Sequence, residues 1–389
     1  MELPVAGRLL RRRRGALMAP FPTLRQGLGT FAGYHSAQVD VAVRLNTNES
    51  PFPPPPAFLA ALADAVTTLP LHRYPDRSCT DLRADLARLH GVRPEEVFVA
   101  NGSNEVLQCL LLAYGGPRRT AALFEPTYAM HGTIARMTGT TELKGERSDD
   151  FSLSLAEVRR VVSQGAPSVT FLCSPNNPTG RAEPRELVEG VLDLGPGLLV
   201  VDEAYAQFAS WTALSLVADD VPLVVTRTYS KTWSMAGFRL GYLIGPASIV
   251  ADLWDVAALP YHVDAMKQAA GQLALRYTDD MEDRVALLVA ERERVASALG
   301  RMPVDTWPSD ANFLLLRPRT RSGPEVWQAL VDRSVLVRDC SSWPRLAGCL
   351  RVTIGTPAEN DVFLAALEDV LVTQANEPVV LAEARRGPS

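Results

Sequence analysis

The stretch TRTYSKTWSMAGFRLGYLIG, residues 226–245, sets one lysine, Lys231, among hydroxyl groups between two apolar runs, with Arg239 further along the same loop. The run leading into it, PLVVTRTYSK, begins like a strand covered on both faces. Four other runs share that character: VFVANGSNE, TAALFEPTY, SVTFLCSPNNPTG and GLLVVDEAY. Each ends in a polar group. The spacing between them leaves room for helices, which predicts an α/β fold with a mostly parallel sheet sandwiched by helices and its ligands gathered at the strands' carboxyl ends. RLGYLIGP follows after too few residues for a crossover helix, so it reads as the one antiparallel strand. Lys231 then lies in the loop joining the two.

Helices are legible on either side. DLRADLARLHG predicts a helix with Leu82, Leu86 and Leu89 on its buried face and Gly91 as a left-handed cap. TPAENDVFLAALEDVL opens as a capping box, with Thr356 as N-cap, Pro357 first and Glu359 third, and should bury Phe363, Leu367, Val370 and Leu371. The proline-rich NESPFPPPPAF reads as an extended connector up to Pro56. The expected organisation is a disordered basic tail (1–19), an arm that joins part of a small domain (20–47), a large domain (48–259), a smaller α/β domain (260–375) and a mobile tail (376–389).

The 389 residues exceed what a single core usually serves, and 47% hydrophobic with 21% charged residues is the balance of a globular protein. A net charge of -5 argues against a nucleic-acid surface, so an anionic ligand would need a local arginine cluster. No run approaches the ~20 apolar residues a bilayer requires. The opening MELPVAGRLLRRRRGALM has a basic block without an apolar core behind it, unlike a secretory signal, and Met18 is an alternative start. Five cysteines without a CxxC fit a reducing cytosol, and five scattered histidines show no metal-ligand spacing. A cytoplasmic protein without a metal is expected. GLGTFA at Gly27 fits a loose dinucleotide-binding pattern, but no strand precedes it.

The polar strand ends form a candidate constellation. Asp202 follows LLVV directly, where an unpaired carboxylate is costly and a cation is expected: a protonated ring nitrogen, or a plain salt bridge or cap. Tyr205 lies three residues on, and Asn177 sits in the loop after the preceding strand. Ser103 and Asn104 open a helix whose free N–H groups make a natural phosphate seat or simply a good N-cap, with Ser230 and Arg239 able to complete it. Tyr128 could stack on a flat ring or belong to the core. A lysine in such company has a chemical use. Its neutral amine, favoured by desolvation and nearby positive charge, condenses with an aldehyde, and Asp202 would keep a pyridine nitrogen protonated as an electron sink.

With SPNNPTG, DEAY and SKTWSMAGFRLG in this order, the chain resembles the fold-type-I pyridoxal-phosphate enzymes of the class I/II aminotransferase group. The resemblance is closest to the histidinol-phosphate branch, from GYHSAQVDVAVRLNTNESPFPPPP through YPD to VRDCSSWPRLAGCLRVTIGTPAEND. It implies pyridoxal 5'-phosphate attached at Lys231, Asp202 at the pyridine nitrogen, and Asn177 and Tyr205 at the phenolic oxygen. It further implies Ser103, Asn104, Thr228, Ser230 and Arg239 around the phosphate. Tyr74 of YPD would reach in from the second subunit of a homodimer, and Arg338 and Arg351 would grip the substrate's anionic end. The implied reaction passes an amino group from L-histidinol phosphate to 2-oxoglutarate, giving imidazole acetol phosphate and glutamate. Relatives on the same scaffold transaminate phenylalanine or tyrosine, or decarboxylate phosphothreonine. Two positions depart from the pattern: Asn104 replaces an acidic residue, and FAGYHSAQ replaces PYxPG, which leaves Tyr34 or Phe31 to line the pocket.

Overall fold

The β-branched runs form the centre of a seven-stranded sheet. Its strands are β2 (Val97–Ala100), β3 (Thr120–Glu125), β4 (Thr141–Glu146), β5 (Val169–Cys173), β6 (Leu198–Asp202), β7 (Leu223–Thr228) and β8 (Gly241–Ile244), in the order β2-β8-β7-β6-β5-β3-β4. β8 alone runs against the common direction of the other six, antiparallel to both β2 and β7. A second, five-stranded sheet has the order β1-β11-β12-β10-β9, built from β1 (Val43–Leu45), β9 (Val304–Thr306), β10 (Phe313–Pro318), β11 (Val335–Asp339) and β12 (Leu350–Thr353). The α/β class and the single antiparallel strand expected in the large sheet are both present. This computed structural model describes residues 22–25, 28 and 37–372. Tyr34, Phe31, Gly27 and the two tails (1–19 and 376–389) lie outside the described residues. Both sheets belong to the second of the chain's two units.

Eleven α-helices accompany the sheets among the described residues: α1 (Pro56–Thr68), α2 (Thr80–His90), α3 (Ser103–Ala113), α4 (Ala129–Thr138), α5 (Leu155–Gly165), α6 (Arg185–Leu192), α7 (Ala247–Asp252), α8 (Ala265–Ala274), α9 (Thr278–Leu299), α10 (Gly323–Val331) and α11 (Pro357–Val372). Strand alternation divides the core. Val97 and Val99 pack with Leu82 and Leu86 of α2 and Ala270 of α8, whereas Phe98 and Ala100 join Val106 and Leu107 of α3. On the other face Leu199, Val201 and Val225 meet Val158 of α5 and Val188 of α6. Ala270 of α8 and Met281 of α9 share a core with α2, whereas Leu288, Val295 and Leu299 of α9 join the core of the smaller sheet.

Two local expectations need correction. Leu89 is 39% exposed while Ala87 is buried, because the buried arc of α2 centres on Leu86 and leaves Leu89 at its edge. The strand β4, TELKGE, is absent from the sequence reading because its charged, largely uncovered residues are those of a sheet edge rather than a core strand. The helix caps follow expectation. Gly91 ends α2 with φ 66°, and Thr356 Oγ1 accepts from Glu359 N while Thr356 N donates back to the Glu359 carboxylate. Phe363, Leu367, Val370 and Leu371 are all buried, each worth roughly 1.5 to 3 kcal/mol.

Candidate active site

The order of the large sheet reverses between β3 and β5, and a crevice opens beyond the carboxyl ends of such strands. Asp202 closes β6 there, 1% exposed. Its Oδ2 faces Nε2 of His131 at 3.0 Å, and its Oδ1 accepts from the Thr226 hydroxyl and from Ala204 N, each at 3.3 Å. A carboxylate accepts only, so His131 carries its proton on Nε2. The imidazole stacks on Phe171 at 4.7 Å and meets the edge of Tyr128 at 5.4 Å. The next residue of the DEAY motif, Glu203, turns away to bind Arg227, Thr212 and Ala213 N, and serves the core.

Lys231 lies in the loop after β7, its Nζ donating to Thr47 O at 3.0 Å and standing 5.8 Å from the centre of the Tyr205 ring. Burial first, then the charges of Arg351 and Arg239, lower this amine from 10.5 to about 7 against the pull of Glu49. The small sheet supplies the facing wall. Arg338 of β11 and Arg351 of β12 are directly opposite in the antiparallel ladder and so share a face. Arg351, 4% exposed, donates from Nη1 to Asn177 Oδ1 at 2.5 Å and from Nη2 to Asn46 O at 2.9 Å. Consecutive carbonyls, Asn46 and Thr47, thus hold the arginine and the lysine side by side. The Arg338 guanidinium lies over Trp343 at 5.4 Å.

A third edge is built where α3 begins. The first N–H groups of Ser103 and Asn104 have no helical carbonyl to meet. A Cβ added at Gly102, φ 80°, would sit 2.8 Å from Arg239 Nη2, and one at Gly241 would sit 2.4 Å from Ser103 N. Only glycine lets the arginine and the helix N-terminus approach so closely. Arg239 Nη1 donates to Ser230 Oγ at 3.3 Å, Ser230 N donates to Thr228 Oγ1 at 3.1 Å, and the Tyr128 hydroxyl donates to Asn104 Oδ1 at 3.0 Å.

Residues 40–367 match the family described as aminotransferase class I and II. The chain is 44% identical over 362 residues to a histidinol-phosphate aminotransferase of Mycolicibacterium smegmatis, covering 90% of this chain and 94% of that protein. It belongs to the class I and II aminotransferases, in their histidinol-phosphate branch. A Frankia casuarinae protein of the same name is 44% identical over 88% of this chain and 89% of its own length. Among solved structures, a histidinol-phosphate aminotransferase of Sinorhizobium meliloti in complex with pyridoxal-5'-phosphate superposes with TM-score 0.78 over 86% of this chain and 92% of that one, at 23% identity, a likeness of fold.

In this aminotransferase Ser103, Asn104, Tyr128, Asn177, Asp202, Tyr205, Thr228, Ser230, Lys231, Arg239, Arg338 and Arg351 all lie on the loops and strand ends just described. Tyr74 does not. It is 80% exposed and stacks on Tyr261 at 4.7 Å. His131, Asn46 and Asn48 were missed by sequence reasoning. For His131 a signal existed, since one helical turn beyond Tyr128 places it beneath the same strand tip. The two asparagines had none, because their partners are distant in sequence. The donors fit pyridoxal phosphate: a buried carboxylate for a ring nitrogen, a neutral-leaning amine for an aldehyde, and a glycine-cleared cradle of N–H groups and an arginine for a phosphate.

Proposed function

We infer that this enzyme transfers the amino group of L-histidinol phosphate to 2-oxoglutarate with pyridoxal 5'-phosphate as cofactor, yielding imidazole acetol phosphate and glutamate in histidine biosynthesis. The observation that carries the reading is the placement of Lys231 and Arg351 on adjacent carbonyls, which brings a basic amine beside an anion-binding arginine. The relatives' names support the choice of substrate.

Pyridoxal phosphate, when bound, supplies an aldehyde and a ring able to take up electron density from a substrate's α-carbon. Ser103, Asn104, Thr228, Ser230 and Arg239 would hold its phosphate, and Tyr128 would cover its ring. Asp202, backed by His131, would keep a proton on the ring nitrogen. Asn177 and Tyr205 would meet the phenolic oxygen. Lys231 would be the point of covalent attachment and, as a free amine, would carry the substrate's α-proton; an amine near 7 is matched to that task at neutral pH. Arg338 and Arg351 would take the phosphate of one substrate and a carboxylate of the other. Tyr74, exposed and stacked on Tyr261, with Val256 and Leu259 also exposed, would complete the site of a second copy in a cytoplasmic homodimer.

The test compares kcat/KM for histidinol phosphate and phenylalanine with 2-oxoglutarate as acceptor. Histidinol phosphate should lead by about tenfold, since its phosphate offers the two arginines roughly −1.5 to −2 charge and three acceptor oxygens where phenylalanine offers a single carboxylate. Faster turnover of phenylalanine would make this an aromatic aminotransferase, and carbon dioxide release from phosphothreonine without use of 2-oxoglutarate would make it a decarboxylase.

A further inference from the structure

Asn48, three residues past β1 in the segment NTNES, has left-handed backbone (φ 54°) and is 1% exposed. Its backbone N–H donates to Thr353 Oγ1 at 2.9 Å, its Oδ1 accepts from the Thr353 hydroxyl at 3.1 Å, its Nδ2 donates to the Tyr205 hydroxyl at 2.9 Å, and its carbonyl accepts from Asn312 Nδ2 at 3.3 Å. The two ends of an amide look alike, so its direction must come from its partners. Here they decide it. The Asn48 N–H can only donate, so it occupies a lone pair of Thr353 Oγ1, and the buried hydroxyl proton then needs an acceptor, which is Asn48 Oδ1. A flipped amide would leave that proton without an acceptor in the interior, costing more than the alternative.

The consequence reaches Tyr205. Its oxygen accepts from a group that can only donate, so its own proton must serve a different acceptor. We propose that Asn48, oriented by Thr353, is a positioning residue that makes Tyr205 a one-way hydrogen-bond donor toward the phenolic oxygen of the cofactor. The proposal rests on the placement of Tyr205 at that oxygen given above. Burial pushes the Tyr205 phenol up, keeping it protonated at neutral pH, and an oxygen that accepts one hydrogen bond donates the next more strongly. Thr353 stands two residues from Arg351 on β12 and so shares its face, which lets one strand hold both the substrate arginine and the orienting hydroxyl. Asparagine suits the position twice over: it tolerates left-handed backbone and carries the amide.

The experiment is a pH titration of the visible absorbance of bound pyridoxal phosphate in the wild type, Asn48→Gly, Tyr205→Phe and the double variant. Glycine keeps the left-handed backbone. A donor on the phenolic oxygen draws off negative charge that would otherwise hold a proton on the neighbouring lysine nitrogen, so weakening it raises the midpoint. Asn48→Gly should move the midpoint up by roughly half a pH unit, in the direction of Tyr205→Phe but less far. In the Tyr205→Phe background Asn48→Gly should add nothing. An unchanged midpoint in Asn48→Gly, or an equal shift in both backgrounds, would overturn the proposal while sparing Tyr205. No shift in Tyr205→Phe would remove Tyr205 from the phenolic oxygen, and this proposal with it. The melting temperature of each cofactor-free variant reports on folding. Should Asn48→Gly not fold, the near-isosteric Asn48→Asp takes its place. Its carboxylate would pull the Tyr205 proton back and move the midpoint at least as far as Tyr205→Phe; a smaller shift overturns the proposal.

Discussion

Replacing Lys231 by methionine in the cofactor-free protein removes one amine that the fold holds well below its ordinary value. The drop from 10.5 to about 7 spans some 3.5 pKa units. At about 1.36 kcal/mol per unit, the protonated amine destabilises the folded chain by up to about 5 kcal/mol at low pH. Lys231 retains some exposure and its bond to the Thr47 carbonyl, so that figure is an upper bound. Between pH 7 and 10.5 the unfolded chain binds more protons than the folded one, so the wild type gains stability as pH rises through that window. From pH 7 to 9 the gain is about 2 kcal/mol, whereas methionine, similar in length and uncharged, gains nothing from this source. Urea unfolding of both proteins at a series of pH values isolates the term, because every other titrating group cancels in the difference. The advantage of Lys231→Met over wild type should be at its full size below pH 7 and shrink by about 2 kcal/mol between pH 7 and 9. Parallel curves would mean that Lys231 titrates as an ordinary surface lysine, and the case for a neutral base would fail.

Two further substitutions probe the interior. His131→Phe keeps an aromatic ring on Phe171 but removes the imidazole donor to buried Asp202, and should cost roughly 1.5 to 3 kcal/mol in the cofactor-free protein by urea unfolding. A loss below about 0.5 kcal/mol would show that Asp202 does not depend on it. Arg147→Met strands Glu183, its 2.6 Å partner, in a site where both side chains are nearly inaccessible, and should cost about 3 to 5 kcal/mol. A neutral result would place water or another cation at Glu183.

The cofactor side of the site could be foreseen because its parts are local. A β-branched run followed at once by Asp202, by Tyr128 or by the Ser103–Asn104 turn puts the polar group at a strand tip whatever the rest of the chain does. The network around Asn48 could not be foreseen. Its partners Tyr205, Asn312 and Thr353 are separated from it by more than a hundred residues, and an asparagine after a short strand reads only as a turn. The edge strand β4 was hidden for a related reason: a strand covered on few sides keeps the polar composition of a loop.

The apolar core runs with their polar tips, the helix caps and the choice of lysine, aspartate and arginines are properties of the sequence, since each depends on neighbours within a few positions. The lowering of the Lys231 amine, the pairing of Asp202 with His131 and the direction of the Tyr205 proton belong to the tertiary structure alone. Desolvation and hydrogen-bond polarity depend on which atoms crowd a group in space, and those atoms come from both sheets.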